Sequence, residues 1–168
     1  DGRAPWQALI IGAGFAGLTA GWQAASRGLR TQVIAQGWGT THWGSGCIDV
    51  LHGTSDKESI LADVEALIAK NPQHPYALIG VEGLQSALTA FQELCQQAMY
   101  PLHGSLEKPW LLPTVLGAAR PTCLAPETMI AGDLRSSMPM LLVGFRRYDD
   151  FWPQWAADNL RAQGVEAQ

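Results

Sequence analysis

The sequence predicts an α/β protein built on a parallel sheet, and three observations predict it. An apolar run, ALIIG at residues 8–12, has the length and composition of a buried parallel strand. Glycines follow at Gly12, Gly14, Gly17 and Gly21 and open an Ala-rich segment that ends at Gly28. A second apolar run, about Thr31 to Ala35, closes a β-α-β unit of about thirty residues, whose connection should be right-handed.

Each element follows from its residues. Gly12 permits the tight turn after the first strand, Gly14 lets a phosphate approach the backbone, and Gly17 lets the helix pack close to the strand. Phe15 and Ala16 carry the turn into the helix, whose N–H groups and dipole favour an anion there. Gly21, one turn on, extends the close contact, and Gly28 stands where a C-cap belongs. The alternative is a tight βα turn with no ligand. In the usual pattern an Asp or Glu ends the second strand and bonds the adenosine ribose. Ala35 and Gln36 stand there instead, and Gln36 is a poor bidentate acceptor for a diol. That counts against an NAD-binding module. It leaves FAD held by other contacts, or a nucleotide without the adenosine half, such as FMN.

From Gln36 to Gly53 the chain is rich in Gly, Trp, Thr and Ser without periodicity, and so long a segment is usually functional or disordered. Ser55-Asp-Lys-Glu58 reads as a capping box for a helix whose apolar stripe is Ile60, Leu61, Val64, Leu67 and Ile68. Asn71-Pro72 stops it. HPYALIG reads as a turn-rich connector to a second amphipathic helix, about Val81 to Ala98, with Leu84, Leu88, Phe91 and Cys95 on one side. Prolines at 101, 109, 113, 121 and 126 then break short alternating runs into an irregular β-ribbon or small sheet. MPMLLVGF reads as a strand, Asp150 to Gln163 as a helix, and Val165 onward as another strand, a second β-α-β.

The fold expected is therefore a Rossmann-like, FAD/NAD(P)-binding three-layer fold with a parallel sheet, followed by the start of a second, partly β domain. Residues 1–100 form the dinucleotide- or flavin-binding domain, 101–138 an irregular β-rich connection or cap, and 139–168 the start of the second β-α-β unit. The chain begins at Asp1 and its last residues read as the opening of a strand; we expect a fragment of a longer two-domain flavoprotein.

Composition narrows the function. A formal charge of −4 over 168 residues argues against nucleic acid, which calls for a basic patch. Seven Trp with only 15% charged residues suggest some apolar surface that meets a partner, with most of the Trp in the core. Cys47, Cys95 and Cys123 include no C-x-x-C pair, so neither a disulfide framework nor a metal site is expected. A reducing cytoplasm suits them. The longest apolar stretches are too short to cross a bilayer, so any membrane contact runs through a partner.

The segment THWGSGCIDVLHG carries the second set of candidates. A Ser-Gly-rich turn after the second strand is where flavoproteins bring main-chain N–H groups over the isoalloxazine ring. Gly44 and Gly46 allow close backbone approach, while Thr41 and Ser45 offer hydroxyls; Gln36 and Gly37 lead into the loop. The alternative is a plain surface loop. His42 is the candidate functional histidine, donating to flavin or to a substrate oxygen, or else capping loop carbonyls. His52 has a weaker case, His74 a turn role, and His103 sits on an expected strand. The four histidines lack metal spacing, so no metal is expected. Asp49 is read as a loop-organising carboxylate in preference to a flavin contact.

At these residues a family resemblance enters. GAGFAGLTAG, GLRTQVIAQGWGTTHWGSGCIDVL, HPYALIG and LGAARPTCLAPET, in that order, resemble the B subunit of the anaerobic glycerol-3-phosphate dehydrogenases. The particular marks are His42, Ser45, Gly46 and Asp49 in H-x-x-S-G-x-x-D, together with HPY. The resemblance implies a flavin-dependent dehydrogenase subunit, associated with FMN, with FAD not excluded. It implies work beside a catalytic FAD subunit and an iron–sulfur subunit, oxidising glycerol 3-phosphate to dihydroxyacetone phosphate. Electrons would pass toward quinone at the inner, cytoplasmic face of the membrane. It further implies a C-terminal return segment that completes the flavin site, and suggests an anion partner, flavin or substrate phosphate, for Arg120, which is otherwise read as an ordinary surface guanidinium. Cys47 departs from the pattern, where a small hydroxyl residue is common. The competing reading is a non-catalytic assembly subunit with a degenerate nucleotide site.

Overall fold

The computed structural model describes residues 4–51 and 59–168. The expected capping box at Ser55–Glu58, with His52 and Gly53, lies outside the described residues. The chain divides into two compact units, Asp1–Gly46 and Cys47–Gln168.

The first unit is the β-α-β start. Strand β1 (Ala8–Ile11), helix α1 (Phe15–Ser26) and strand β2 (Thr31–Ile34) follow in order. The strands pair in parallel with Ala8 opposite Thr31 and Ile11 opposite Ile34, and the Gly12 N–H extends the ladder to the Ile34 carbonyl at 2.8 Å. α1 ends in a Schellman motif: the Gly28 N–H donates to the Ala25 carbonyl and the Leu29 N–H to Ala24, with Gly28 at φ +79°. The helix lies on the sheet through glycine. Gly21 is its buried residue, and a Cβ there would meet Val33 Cγ2 at 2.8 Å; one on Gly17 would meet the Gly12 oxygen at 2.0 Å.

Side chains alternate across a strand, so Ile10 and Val33 turn toward α1 and Leu9 and Ile11 turn away. Leu9 is 58% and Ile11 81% exposed. Of the three layers expected, this unit contains a two-stranded sheet and one helix.

The second unit holds the apolar core. Helix α2 (Ile60–Lys70) and helix α3 (Pro75–Gln97) pack Ile60, Val64 and Leu84 against Leu102, Leu106, Cys123 and Leu124. Leu88, Phe91 and Cys95 of the expected stripe pack on the same cluster. The Leu106 carbonyl accepts from the N–H groups of Ile60 and Leu61, at 2.8 and 3.1 Å, which satisfies free donors at the start of α2. Strand β3 (Leu102–His103) pairs antiparallel with β6 (Ala125–Pro126), and β4 (Trp110–Pro113) with β5 (Ala119–Thr122), the small irregular sheets that the proline-rich stretch predicts. A short helix, α4 (Glu127–Ile130), and helix α5 (Pro153–Ala162) follow.

Two expectations are corrected and one is refined. HPYALIG contains a helical turn that begins at Pro75, but Gly80, at φ 71° and ψ 166°, breaks the helical path, so that α3 is two helices and the longer one runs from Val81 as expected. Pro75 sits in the first turn, where its missing N–H is harmless, and His74 caps the helix by accepting from the Tyr76 N–H at 3.1 Å. MPMLLVGF is no continuous strand. It makes one parallel bridge, Met140 to Ala167, and Leu141, Val143 and Phe145 are exposed. Nor are most Trp in the core: Trp6, Trp38, Trp43, Trp152 and Trp155 are all exposed.

Candidate functional site

The site candidates of the first unit converge on the turn between β1 and α1. Gly12 takes φ +109°, a conformation that L side chains rarely adopt, and this turns the chain from strand to helix within three residues. Gly14 is the N-cap of α1, with no side-chain cap, and the first turn carries no acidic residue. A helix start without a side-chain cap or a carboxylate suits an anion. A Cβ built on Gly14 would meet nothing within 4 Å. Gly17, in contrast, is taken up by packing.

The loop after β2 returns to this turn. Gly39 lies so close that a Cβ on it would sit 2.6 Å from the Gly14 Cα and 2.9 Å from the Ala13 oxygen. A 3₁₀ turn, Thr40–Trp43, follows directly. It is tied by the His42 N–H to the Gly39 carbonyl at 3.0 Å and by the Gly44 N–H to Thr41 at 3.2 Å. His42 stacks on Trp38 with ring centroids 5.1 Å apart and 26° between planes, and meets Trp43 edge-on at 5.1 Å. Trp38 and Trp43 are each 85% exposed. Gln36, Gly37, Thr41, Gly44, Ser45 and Gly46 are exposed along the same loop, and Gly46 takes φ +79°.

The structure thus brings Gly12, Gly14, Phe15, Ala16, Gly17 and the His42 loop into one unit. Two residues of that arrangement are not marked by the sequence pattern. Gly39 is hidden because its partner, Gly14, is distant in sequence; Trp38 is hidden because an isolated Trp more often packs inside. The signal available is the Gly37-Trp38-Gly39 run itself, an aromatic residue flanked by glycines just past a strand.

The remaining candidates lie in the second unit. Arg120 Nη1 stands 3.5 Å from Asp49 Oδ2, with side chains 30% and 43% exposed. Among the described residues, the Nε of Arg120 is buried with no hydrogen-bond partner, as are Thr122 Oγ1 and His103 Nε2. Cys47 is half-buried, its sulfur 3.4 Å from that of Met129. Cys123 is buried, and desolvation, aided by the charges of Glu107 and Asp49, pushes its thiol up to about 12. Burial likewise raises the Cys95 thiol and, with Cys123, the Tyr76 hydroxyl, whose proton goes to the Val50 carbonyl at 2.7 Å.

An open cleft lined by His103, Ser105, Lys108, Trp110 and Arg135 also belongs to this unit. Its charges are in part matched internally. Arg135 bonds Asp133 and the Pro109 carbonyl, and Glu107 is held low by Ser105 and bonded by Gln85. Among the described residues no group of three or more His, Cys, Asp or Glu is placed to hold a metal, and no helix is long and apolar enough to cross a membrane.

Comparison with known proteins decides the family. Residues 7–168 match the FAD binding domain. The chain belongs to that family. It is also homologous to proteins named as the B subunit of anaerobic glycerol-3-phosphate dehydrogenase. Identity is 33% over 159 residues to the protein of Mannheimia succiniciproducens, covering 91% of this chain and 37% of the relative. It is 32% over 165 residues for Yersinia enterocolitica (94% and 39%) and 30% over 169 for Pectobacterium carotovorum (97% and 40%). The chain therefore spans about two fifths of the length of these relatives. No solved structure matches it.

The residues present fit a flavin nucleotide at the first unit. Open space over Gly14, an uncapped helix N-terminus and a second backbone segment laid against the turn form a cradle that side chains would fill.

Proposed function

We propose that the chain is a flavin-binding part of a dehydrogenase subunit, and that its first unit holds the nucleotide. The observation that carries this reading is the cradle of Gly14 and Gly39, in a chain of the FAD binding domain family. Gly12 and Gly17 shape the turn, Gly12 through its conformation and Gly17 through packing, and the backbone around Gly14, Phe15 and Ala16 receives the phosphate. Gln36, Gly37, Thr41, Gly44, Ser45 and Gly46 supply main-chain contacts and small polar groups along the rest of the ligand. Flavin, when bound, supplies two-electron chemistry. The His42 ring, stacked on Trp38 and edge-on to Trp43, orders the loop that contacts the ligand, and Arg120 is suited to an anionic phosphate.

By likeness to the relatives, the substrate is glycerol 3-phosphate, oxidised to dihydroxyacetone phosphate. The electrons pass toward quinone, with a catalytic FAD subunit and an iron–sulfur subunit as partners. In this reading the protein works at the cytoplasmic face of the membrane through those partners. The family favours FAD, whereas Ala35 and Gln36 taken alone favour FMN.

A second reading, an assembly subunit with a degenerate nucleotide site, draws on the five exposed Trp and the uncovered Leu9–Ile11 face. The visible spectrum of the purified full-length protein separates the two, with the released cofactor identified by mass. Flavin bands with FAD or FMN released support the first. A colourless protein that takes up neither flavin on addition, yet retains its partner subunits, overturns it in favour of the second.

A further inference from the structure

The end of β2 lacks an acidic residue for the adenosine ribose, yet the next residues build something that a phosphate site alone does not need. Trp38 presents an open indole face, 85% exposed, three residues after Ala35. Its orientation is braced from one side by the stacked His42 ring, and His42 is held in turn by its N–H bond to Gly39 and by the edge of Trp43. Gly39, the residue after Trp38, lies against Gly14 and the Ala13 oxygen of the phosphate turn. The aromatic face is thus carried on the same short segment that closes the cradle.

We infer that Trp38, braced by His42, is a stacking platform for the adenine of a bound dinucleotide, and that it does the work of the missing acid. An aromatic face recognises a base through its π-surface and needs no ribose contact, so the absence of a carboxylate at Ala35 and Gln36 is compatible with FAD. The inference rests on the flavin reading above and sharpens it, since FMN has no adenine to stack.

The test is calorimetric titration of the full-length protein with FAD, FMN and ADP, in unsubstituted form and as Trp38→Ala and Trp38→Phe. ADP probes the adenosine diphosphate half without the flavin ring. Trp38→Ala should weaken FAD and ADP by about tenfold and FMN by less than about twofold, while Trp38→Phe, which keeps an aromatic face, stays within about threefold for all. Trp38 is exposed, so its truncation leaves the core untouched, and the Phe variant controls for any loosening of the loop. If FAD and FMN weaken alike, the platform serves the flavin ring and the inference is overturned while the flavin reading stands. It is also overturned if FAD binding is indifferent to Trp38→Ala. If the unsubstituted protein binds none of the three, both readings fail.

Discussion

In the first unit, helix and sheet meet through Gly17 and Gly21, and the far face of the sheet leaves Leu9 and Ile11 exposed. In the second, Ile60, Val64, Leu106 and Leu124 are buried to within a few per cent, with helices α2 and α3 laid across them. The first is organised by the close approach of backbones, the second by apolar volume. The difference matters for function. A cradle for a phosphate needs main-chain N–H groups and empty space, which large side chains would fill. A unit built that way has little apolar burial of its own to stabilise it.

The largest effect expected from this contrast lies in the second unit. Leu124→Ala empties a fully buried position and should cost about 3 kcal/mol. Leu9→Ala, a change of the same size on an exposed strand position, should cost below about 1 kcal/mol. Urea unfolding followed by circular dichroism measures both. Equal costs would mean that Leu9 is covered in the protein as it exists in solution.

Gly17→Ala comes next. Its Cβ would stand 2.0 Å from the Gly12 oxygen, so helix or turn must shift, at about 2 kcal/mol. Gly14→Ala meets nothing within 4 Å and should cost below about 1 kcal/mol. In flavin titrations the order should narrow or reverse, because the space over Gly14 is what the ligand would use. A Gly14→Ala protein that binds flavin as well as the unsubstituted one would remove Gly14 from the site.

These pairs also mark what was legible in the sequence. The βα turn was, because Gly12, Gly17 and Gly21 act through a conformation and contacts within one β-α-β unit. The stripes of α2 and α3 were, since Val64, Leu84 and Leu88 recur at helical spacing. HPYALIG was in part: Gly80 breaks the helical path just before Val81, as read, whereas Pro75 reads as a breaker and instead sits in the first turn of a short helical stretch. The second β-α-β was legible in its pairing, since Met140 and Leu142 run parallel to residues 166–168 across α5, but not in its extent, a single bridge from Met140 to Ala167. The exposure of Trp38 and Trp43 was equally hidden, because composition reports that an indole is present and not what packs on it.

A smaller effect follows from Cys123. Burial raises its thiol to about 12, above the value of about 8.5 for an unfolded thiol. The protonated form is favoured by folding, so the contribution is fully present below pH of about 8.5 and is lost as pH rises toward about 12. Thermal midpoints should fall across that window, and Cys123→Ala should flatten the fall. An unchanged slope would assign the alkaline loss to other groups, such as the raised Tyr76 hydroxyl.

The smallest effect is expected at Asp49. Its contact with Arg120 is long, 3.5 Å, and both side chains are partly exposed, so Asp49→Asn should change stability by about 0.5 kcal/mol or less. The pair is more informative through its cation. Arg120 has a buried Nε without a partner, and a guanidinium that its carboxylate holds weakly is free to prefer a better anion. Removing the carboxylate should therefore tighten inorganic phosphate binding by about twofold, and Arg120→Gln should weaken it by a similar factor. If neither substitution moves phosphate affinity, the Asp49–Arg120 pair belongs to the framework of the second unit alone, and the anion contact must be sought at the Gly14 cradle.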